Sequence, residues 1–399
     1  MSKVSVIGLG YIGLPTALML ASKGADVTGV DYSETLIGTL KSGTLTFEEE
    51  GLSDVFRDAL SNGIKFTNEY VSSDIYIVAV QTPYQKETKT VDAKYVVSAV
   101  NSVLDVCESG SIIVVESTVS PGTMDKYIRP VVEARGLDIS LAHAPERIIP
   151  GNMINELENN SRTIGVDDAK VGELLKELYG SFCNGDIVVT DIRTAEMSKV
   201  VENTYRDINI AFANELARIC SDEDMDVYEI IKIANMHPRV NVHTPGPGVG
   251  GHCISVDPWF LVGDYPKQTR LIRTARDVND SMPEFVYNRI KDIMRGNGII
   301  DMSKVGLYGL TYKEDVDDTR ESPTLQLLKY FKEETPYVFD PVVNKELVKG
   351  QLFNFNEFLD KVEIVVILVG HTHIKENIDM LNGKVIFDTK NIVDGAYKL

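Results

Sequence analysis

Short apolar runs alternate with stretches of helical periodicity through the first half of the chain. Val4–Leu9, Val27–Asp31, Ile75–Val80, Ile112–Glu116 and Ile187–Thr190 read as strands. Their near-continuous apolar character is that of strands buried on both faces, as in a parallel sheet covered by helices. Apolar positions at helical spacing fall between them, at Thr16–Lys23 and Ala93–Cys107.

From Thr194 the pattern changes. Thr194 is expected to cap a long helix running to about Cys220, since no Gly or Pro interrupts it. Ile208, Ile210, Phe212, Leu216 and Ile219 predict that this helix is largely buried. Further helices are expected at Val227–Ala234 and Arg270–Met294, separated by a loop over Pro245–Pro258. After Gly296-Asn297-Gly298 the strand pattern returns at Val305–Leu310, Tyr337–Asp340, Ile364–Val369 and Val385–Asp388. The fold class is therefore α/β, with two Rossmann-like parallel-sheet domains joined by a central all-helical region and a long connecting helix. The expected boundaries are 1–193, 194–297 and 298–399.

Composition narrows the partners. The 399 residues carry a formal net charge of −19, which argues against nucleic acid or an anionic membrane surface. An anionic small ligand would need locally gathered cations. No apolar run is long enough to span a bilayer, no leader pattern opens the chain, and Cys107, Cys183, Cys220 and Cys253 form no CxxC pair. A reducing cytoplasm, no disulfide framework and no metal site are the expectations.

Gly8-Leu9-Gly10-Tyr11-Ile12-Gly13 closes the first strand. Glycines at this spacing permit a tight turn, close approach to a pyrophosphate and close helix–strand packing, and the helix start offers free N–H groups. Alone the fingerprint is weak; the strand before it, the helix after it and Asp31 at the end of the next strand strengthen it. A carboxylate at Asp31 suits the adenosine ribose hydroxyls and repels a 2′-phosphate, so NAD is expected rather than NADP. The alternative is that Asp31 caps a turn and the glycines serve only the bend.

The densest chemical signal is Pro245-Gly246-Pro247-Gly248-Val249-Gly250-Gly251-His252-Cys253-Ile254-Ser255-Val256-Asp257. So glycine-rich a stretch costs conformational entropy and contributes little core, so it must let backbone approach something closely. A cysteine there can add to an aldehyde, and once a nicotinamide cofactor has accepted the hydride of that adduct the resulting thioester hydrolyses readily. Cys107 and Cys220, by contrast, read as small buried hydrophobes. On the long helix, Lys199, Asn203 and Arg206 fall at i, i+4 and i+7 and share a face. That face suits an anionic or polyhydroxyl neighbour; an ordinary solvated face is the alternative.

Through these motifs and others, the chain resembles the UDP-glucose/GDP-mannose dehydrogenase family nearly end to end. The resemblance runs through residues 8–15, Glu116-Ser117-Thr118, Pro145-Glu146-Arg147-Ile148-Ile149-Pro150-Gly151, Arg193–Leu216, His237-Pro238-Arg239-Val240-Asn241, the Cys253 loop, Gly309–Lys313 and Asp317–Pro323. It is strongest to the N-acetylmannosamine branch. The resemblance implies NAD-dependent four-electron oxidation of UDP-N-acetylmannosamine to its uronate, with UDP-glucose or UDP-N-acetylglucosamine as alternative substrates. A single-step 2-hydroxy acid dehydrogenase or a non-catalytic NAD-binding protein would share the layout without needing Cys253.

The same resemblance implies Cys253 as nucleophile, Lys199 as catalytic lysine, Asn203 at the oxyanion, Asp257 positioning water, and Thr118 and Glu146 near the reacting carbon. Cofactor contacts would fall on Gly8, Gly10, Tyr11, Ile12, Gly13, Asp31, Thr82, Thr118 and Arg320. Substrate contacts would fall on Arg147, Ile148, Lys199, Asn203, Arg206, His237, Tyr312, Lys313 and Lys390, with Arg239 serving the neighbouring subunit of a homodimer built on the helical middle. Two departures stand out: Pro150 where a second glutamate is usual in UDP-glucose enzymes, and Gln81 where proline is usual. Pro150, His252 and the His237–Asn241 run are what point to the N-acetylmannosamine branch.

Overall fold

The computed structural model describes residues 2–85, 87–251, 253–332 and 334–399, so His252 lies outside the described residues. The chain divides into two compact units, residues 1–202 and 203–399.

The first unit is built on eight strands: β1 (Lys3–Ile7), β2 (Asp26–Val30), β3 (Lys65–Thr67), β4 (Ile75–Val78), β5 (Ile112–Val115), β6 (Ser140–His143), β7 (Arg162–Val166) and β8 (Ile187–Thr190). They lie in the order β3-β2-β1-β4-β5-β6-β7-β8, parallel except for the β6–β7 pair. Three of these strands carry little apolar signal. β3 has three residues, β6 ends in His143, and β7 opens on Arg162. Their pairing comes from neighbours rather than from local preference. The helix Gly13–Ser22 packs on one face of the sheet and Lys94–Leu104 on the other, each with its own apolar cluster.

The long helix runs Ile192–Asp222. Its start differs from the expected Thr194 cap: Asp191 accepts both the backbone N–H and the hydroxyl of Thr194, at 2.9 and 2.6 Å. Aspartate one turn earlier caps a free N–H with one oxygen and holds the Thr194 hydroxyl with the other, so Thr194 lies inside the first turn. Burial also differs from expectation. Ala213, Ala217 and Cys220 are buried, whereas Val201, Tyr205, Phe212 and Ile219 are about half exposed, Tyr205 at 61%. Apolar residues occur on more than one side of this helix, and the chain covers only one of them.

Val227–Ala234, Asp257–Asp264, Arg270–Asp280 and Met282–Gly296 complete the helical middle. Where the sequence predicts one helix over Arg270–Met294 there are two; the break falls at Ser281, just before Pro283 in the first turn of the second helix. The second sheet comprises β9 (Val305–Tyr308), β10 (Tyr337–Phe339), β11 (Gln351–Leu352), β12 (Ile364–Ile367), β13 (Val385–Asp388) and β14 (Tyr397–Lys398). Its order is β11-β10-β9-β12-β13-β14, and every pair is parallel. β11 and β14, two residues each, are too short to show a period.

Candidate active site

In each sheet the strand order reverses next to the first strand, between β1 and β4 and between β9 and β12. Open α/β sheets bind ligands at such points, because the following loops diverge there and leave a crevice. The glycine fingerprint leaves β1 at the first reversal.

Its glycines do separate work. Gly8 has φ +90° and donates to Val30 O at 2.8 Å, and a side chain there would press on Ala79 O. A Cβ on Gly13 would sit 1.9 Å from Gly8 O, so that position seals helix against turn. Around Gly10 nothing lies within 4 Å of such a Cβ. The open side at Gly10, beside the helix start, fits a pyrophosphate. Asp31 holds the neighbouring turns with both oxygens, accepting from Leu9 N and Ser33 N at 2.9 Å each. The Tyr11 ring stands 4.6 Å from Phe47, and Ile12 precedes the helix. Thr82 donates its hydroxyl to Thr118 O at 2.7 Å, tying together the loops that follow β4 and β5.

Beyond β6, Glu146 and Arg147 are already committed to partners within the first unit. Glu146 Oε1 accepts the Arg147 N–H at 2.6 Å, and Glu146 Oε2 meets the guanidinium of Arg162. The Arg147 side chain binds Glu202, Ser161 O and Thr163 Oγ1. Ile148 is buried beside them. Glu116, the second partner of Arg162, is pushed up to about 7 by burial, which Arg162 opposes and Glu146 reinforces.

On the long helix the shared face grades from buried to exposed. Lys199 and Asn203 are 6% and 5% exposed, so a simple solvated face does not describe them; Arg206 is exposed. Asn203 Nδ2 donates to Asp257 Oδ2 at 2.6 Å. Asp257, itself buried, opens the helix Asp257–Asp264, and its backbone N–H reaches Cys253 O at 2.8 Å. Cys253 is therefore one turn ahead of that helix, with its side chain exposed.

The glycines of this loop answer to a close approach within the protein. A Cβ on Gly250 would lie 2.6 Å from Tyr312 Cβ and 2.8 Å from Glu321 O, and Gly251 N donates to Arg320 O at 2.9 Å. Arg320 forks onto Asp318, and those hydrogen bonds raise its pKa against the effect of burial, helped by nearby Tyr312 and Cys253. The loop's base is pinned by a buried polar chain that the sequence pattern does not reveal. Gly246 N donates to Asn214, Asn214 to Asn279, and Asn279 to Asp207, which also pairs with Arg276.

Tyr312 and Lys313 follow β9, at the reversal of the second sheet. Their loop is anchored by His371, fully buried in the loop after β12. Its Nδ1 accepts the Asp315 N–H at 2.9 Å, and its Nε2 lies 3.3 Å from Asp340 Oδ2. Burial alone would raise the Asp340 carboxyl, but hydrogen bonds from His371 and Leu310 N hold it low. Lys390 follows β13, and its Nζ lies 3.9 Å from where a Cβ on Gly246 would be. Burial lowers its pKa, against the pull of Glu314 and Asp388. His237 and Arg239 are exposed, beyond the helix Val227–Ala234. Among the described residues no cluster of His, Cys, Asp and Glu could hold a metal, and no helix is long and apolar enough to cross a membrane.

A dinucleotide fingerprint on one doubly wound sheet, a second doubly wound sheet and an exposed cysteine on a glycine loop define a nucleotide-dependent dehydrogenase with two Rossmann-like domains. Residues 2–183, 193–281 and 306–395 match, in turn, the NAD binding, central and UDP binding domains of the UDP-glucose/GDP-mannose dehydrogenase family. The chain belongs to that family and is an NAD-dependent oxidoreductase acting on a UDP-sugar. It is 43% identical to a UDP-N-acetyl-D-mannosamine dehydrogenase of Methanococcus maripaludis, over 98% of this chain and 93% of that one. It is 39% identical to an NDP-N-acetyl-D-galactosaminuronic acid dehydrogenase of Ralstonia nicotianae, over 98% and 96%. Among solved structures, a UDP-N-acetyl-mannosamine dehydrogenase of Staphylococcus aureus is similar with a TM-score of 0.88 and 41% identity, covering 99% of this chain and 96% of that one.

Proposed function

We propose that this enzyme oxidises the C6 alcohol of UDP-N-acetyl-D-mannosamine to the carboxylate through a covalent intermediate on Cys253. The observation that carries the reading is the buried Asn203–Asp257 hydrogen bond next to an exposed cysteine, in a chain similar over nearly its whole length to an enzyme of that name. NAD supplies the hydride acceptor, twice per sugar, because alcohol to acid removes four electrons.

The residues divide the work by chemistry. Lys199 takes the hydroxyl proton as the alcohol becomes an aldehyde. The Cys253 sulfur adds to that aldehyde, and the oxygen of the thiohemiacetal is held by Lys199 and the Asn203 amide. Loss of the second hydride leaves a thioester. Asp257 and Thr118 orient the water that cleaves it, returning the thiol and releasing the carboxylate, with Glu146 beside the reacting carbon. Gly8, Gly10, Gly13, Tyr11, Ile12, Asp31, Thr82 and Arg320 serve the dinucleotide. Arg147, Ile148, Arg206, His237, Tyr312, Lys313 and Lys390 serve the sugar nucleotide, where an acidic protein concentrates its cations.

Working segments of 1–193, 194–297 and 298–399, a homodimer through the helical middle with Arg239 entering the partner's site, and a cytoplasmic enzyme complete the reading. The decisive assay counts NADH per mole of UDP-N-acetylmannosamine and identifies the product by mass. Two NADH and a uronate are expected, and Cys253→Ser should stall before the acid. One NADH per sugar, or full conversion by the serine variant, refutes the covalent route; turnover only on UDP-glucose or UDP-N-acetylglucosamine moves the assignment to that sugar.

A further inference from the structure

Arg162 opens a strand inside the first unit and is 4% exposed. Burying a guanidinium is costly unless anions and hydrogen bonds surround it. Here Nη1 binds Glu116 Oε1 at 3.0 Å and Nη2 binds Glu146 Oε2, while the planar group lies 4.3 Å from the centre of the Tyr179 ring. The contacts cross. The side chain of 162 reaches back to 146, and the side chain of 147 reaches forward to Ser161 O (2.5 Å) and Thr163 Oγ1 (3.0 Å), on either side of Arg162. Glu146 closes the brace by accepting the Arg147 N–H with its free oxygen.

Two consecutive residues of a loop are thus laced to Ser161 and to the first two residues of the strand that follows it, Arg162 and Thr163. A flat, forked cation that also stacks on an aromatic ring is what such a brace requires, and lysine cannot reproduce it. We infer that Arg162 is a positioning residue for the reaction, holding the Glu146 carboxylate and the Arg147 backbone in one fixed arrangement. The inference rests on the proposed roles of Glu146 and Arg147. An arginine that only balanced core charge could be exchanged, at some cost in stability, without moving turnover.

The test uses the full-length enzyme with Arg162→Lys, and Arg162→Gln combined with Glu116→Gln, which removes the buried cation together with one of its anions in case the lysine variant fails to fold. Both should keep the wild-type affinity for NAD, lose about tenfold or more in kcat on the UDP-sugar, and exchange the Arg147 amide proton faster than the wild type. Glu116→Gln alone leaves the guanidinium to Glu146 and should retain Arg147 protection and most of the turnover. A folded Arg162 variant with wild-type kcat and wild-type Arg147 protection overturns the inference, as does Glu116→Gln losing as much as the Arg162 variants. Wild-type enzyme inert on every UDP-sugar would instead refute the proposed function, and amide exchange would still decide whether Arg162 holds the loop.

Discussion

Asn203 and Asp257, 54 positions apart, are joined by a side-chain hydrogen bond of 2.6 Å between buried groups. One is on the long helix and the other opens the short helix behind the cysteine loop. The contact therefore sets where the loop ends, and it gives the Asn203 amide a fixed orientation. Asn203→Ala should lower kcat by about two to three orders of magnitude if the amide stabilises a developing oxyanion. NAD affinity, measured by fluorescence titration, should stay at the wild-type value. A fall in NAD affinity of similar size would place Asn203 elsewhere in the chemistry.

Asp31 supports two turns, and under the proposed function its carboxylate also serves the adenosine ribose. Asp31→Ala should weaken NAD binding by about ten- to a hundredfold, a loss of about 1–3 kcal/mol. It should also narrow the preference for NAD over NADP, since the repulsion of a 2′-phosphate is gone. Steady-state KM values for both dinucleotides check this. Unchanged selectivity would reduce Asp31 to a turn support.

The half-exposed Val201, Tyr205, Phe212 and Ile219 give the long helix an apolar surface that the chain itself leaves uncovered. We expect a second copy of the chain to cover it. Phe212→Asp with Tyr205→Asp should convert a dimer to a monomer in light scattering after size exclusion. A wild-type enzyme already monomeric at assay concentration would contradict the homodimer.

Two buried glutamates tie stability to pH. Burial pushes Glu116 and Glu196 each up to about 7 from an ordinary 4.5, even though Gly122 N and Met124 N donate to Glu196. Between those values the folded chain keeps protons that the unfolded chain has released, so stability falls as pH rises through 4.5 to 7 and levels off above. His143 works the other way: burial lowers it to about 4, so its contribution is complete above 6.5 and lost as pH falls towards 4. Glu196→Gln should flatten the decline between pH 5 and 8 in urea unfolding by about 1–3 kcal/mol. An identical slope in the variant would refute the shift.

Much of the architecture was legible along the chain. Val4–Leu9, Ile75–Val80, Ile112–Glu116 and Ile364–Val369 each hold an observed strand, because a strand buried on both faces needs a nearly unbroken apolar run. The strand Arg162–Val166 was not legible, since its first residue is an arginine whose burial makes sense only with Glu116 and Glu146 in place. Asn214, Asn279 and Asp207 were hidden for the same reason: each looks like an ordinary polar helix residue until its distant partner is known. The burial expected of the long helix also failed, because apolar spacing shows that a face can be covered without showing what covers it.

The glycine turn, the Asp31 position and the cysteine loop are short-range patterns whose chemistry is written in adjacent residues. Long-range folding decided what those patterns touch: Asp257 on Asn203, Gly250 against Tyr312, and His371 beneath the Tyr312 loop. Hydrogen bonds and close packing act over a few ångströms between residues dozens of positions apart. Only the folded backbone brings such pairs within reach, so spacing along the chain names the chemistry while tertiary contact orients it.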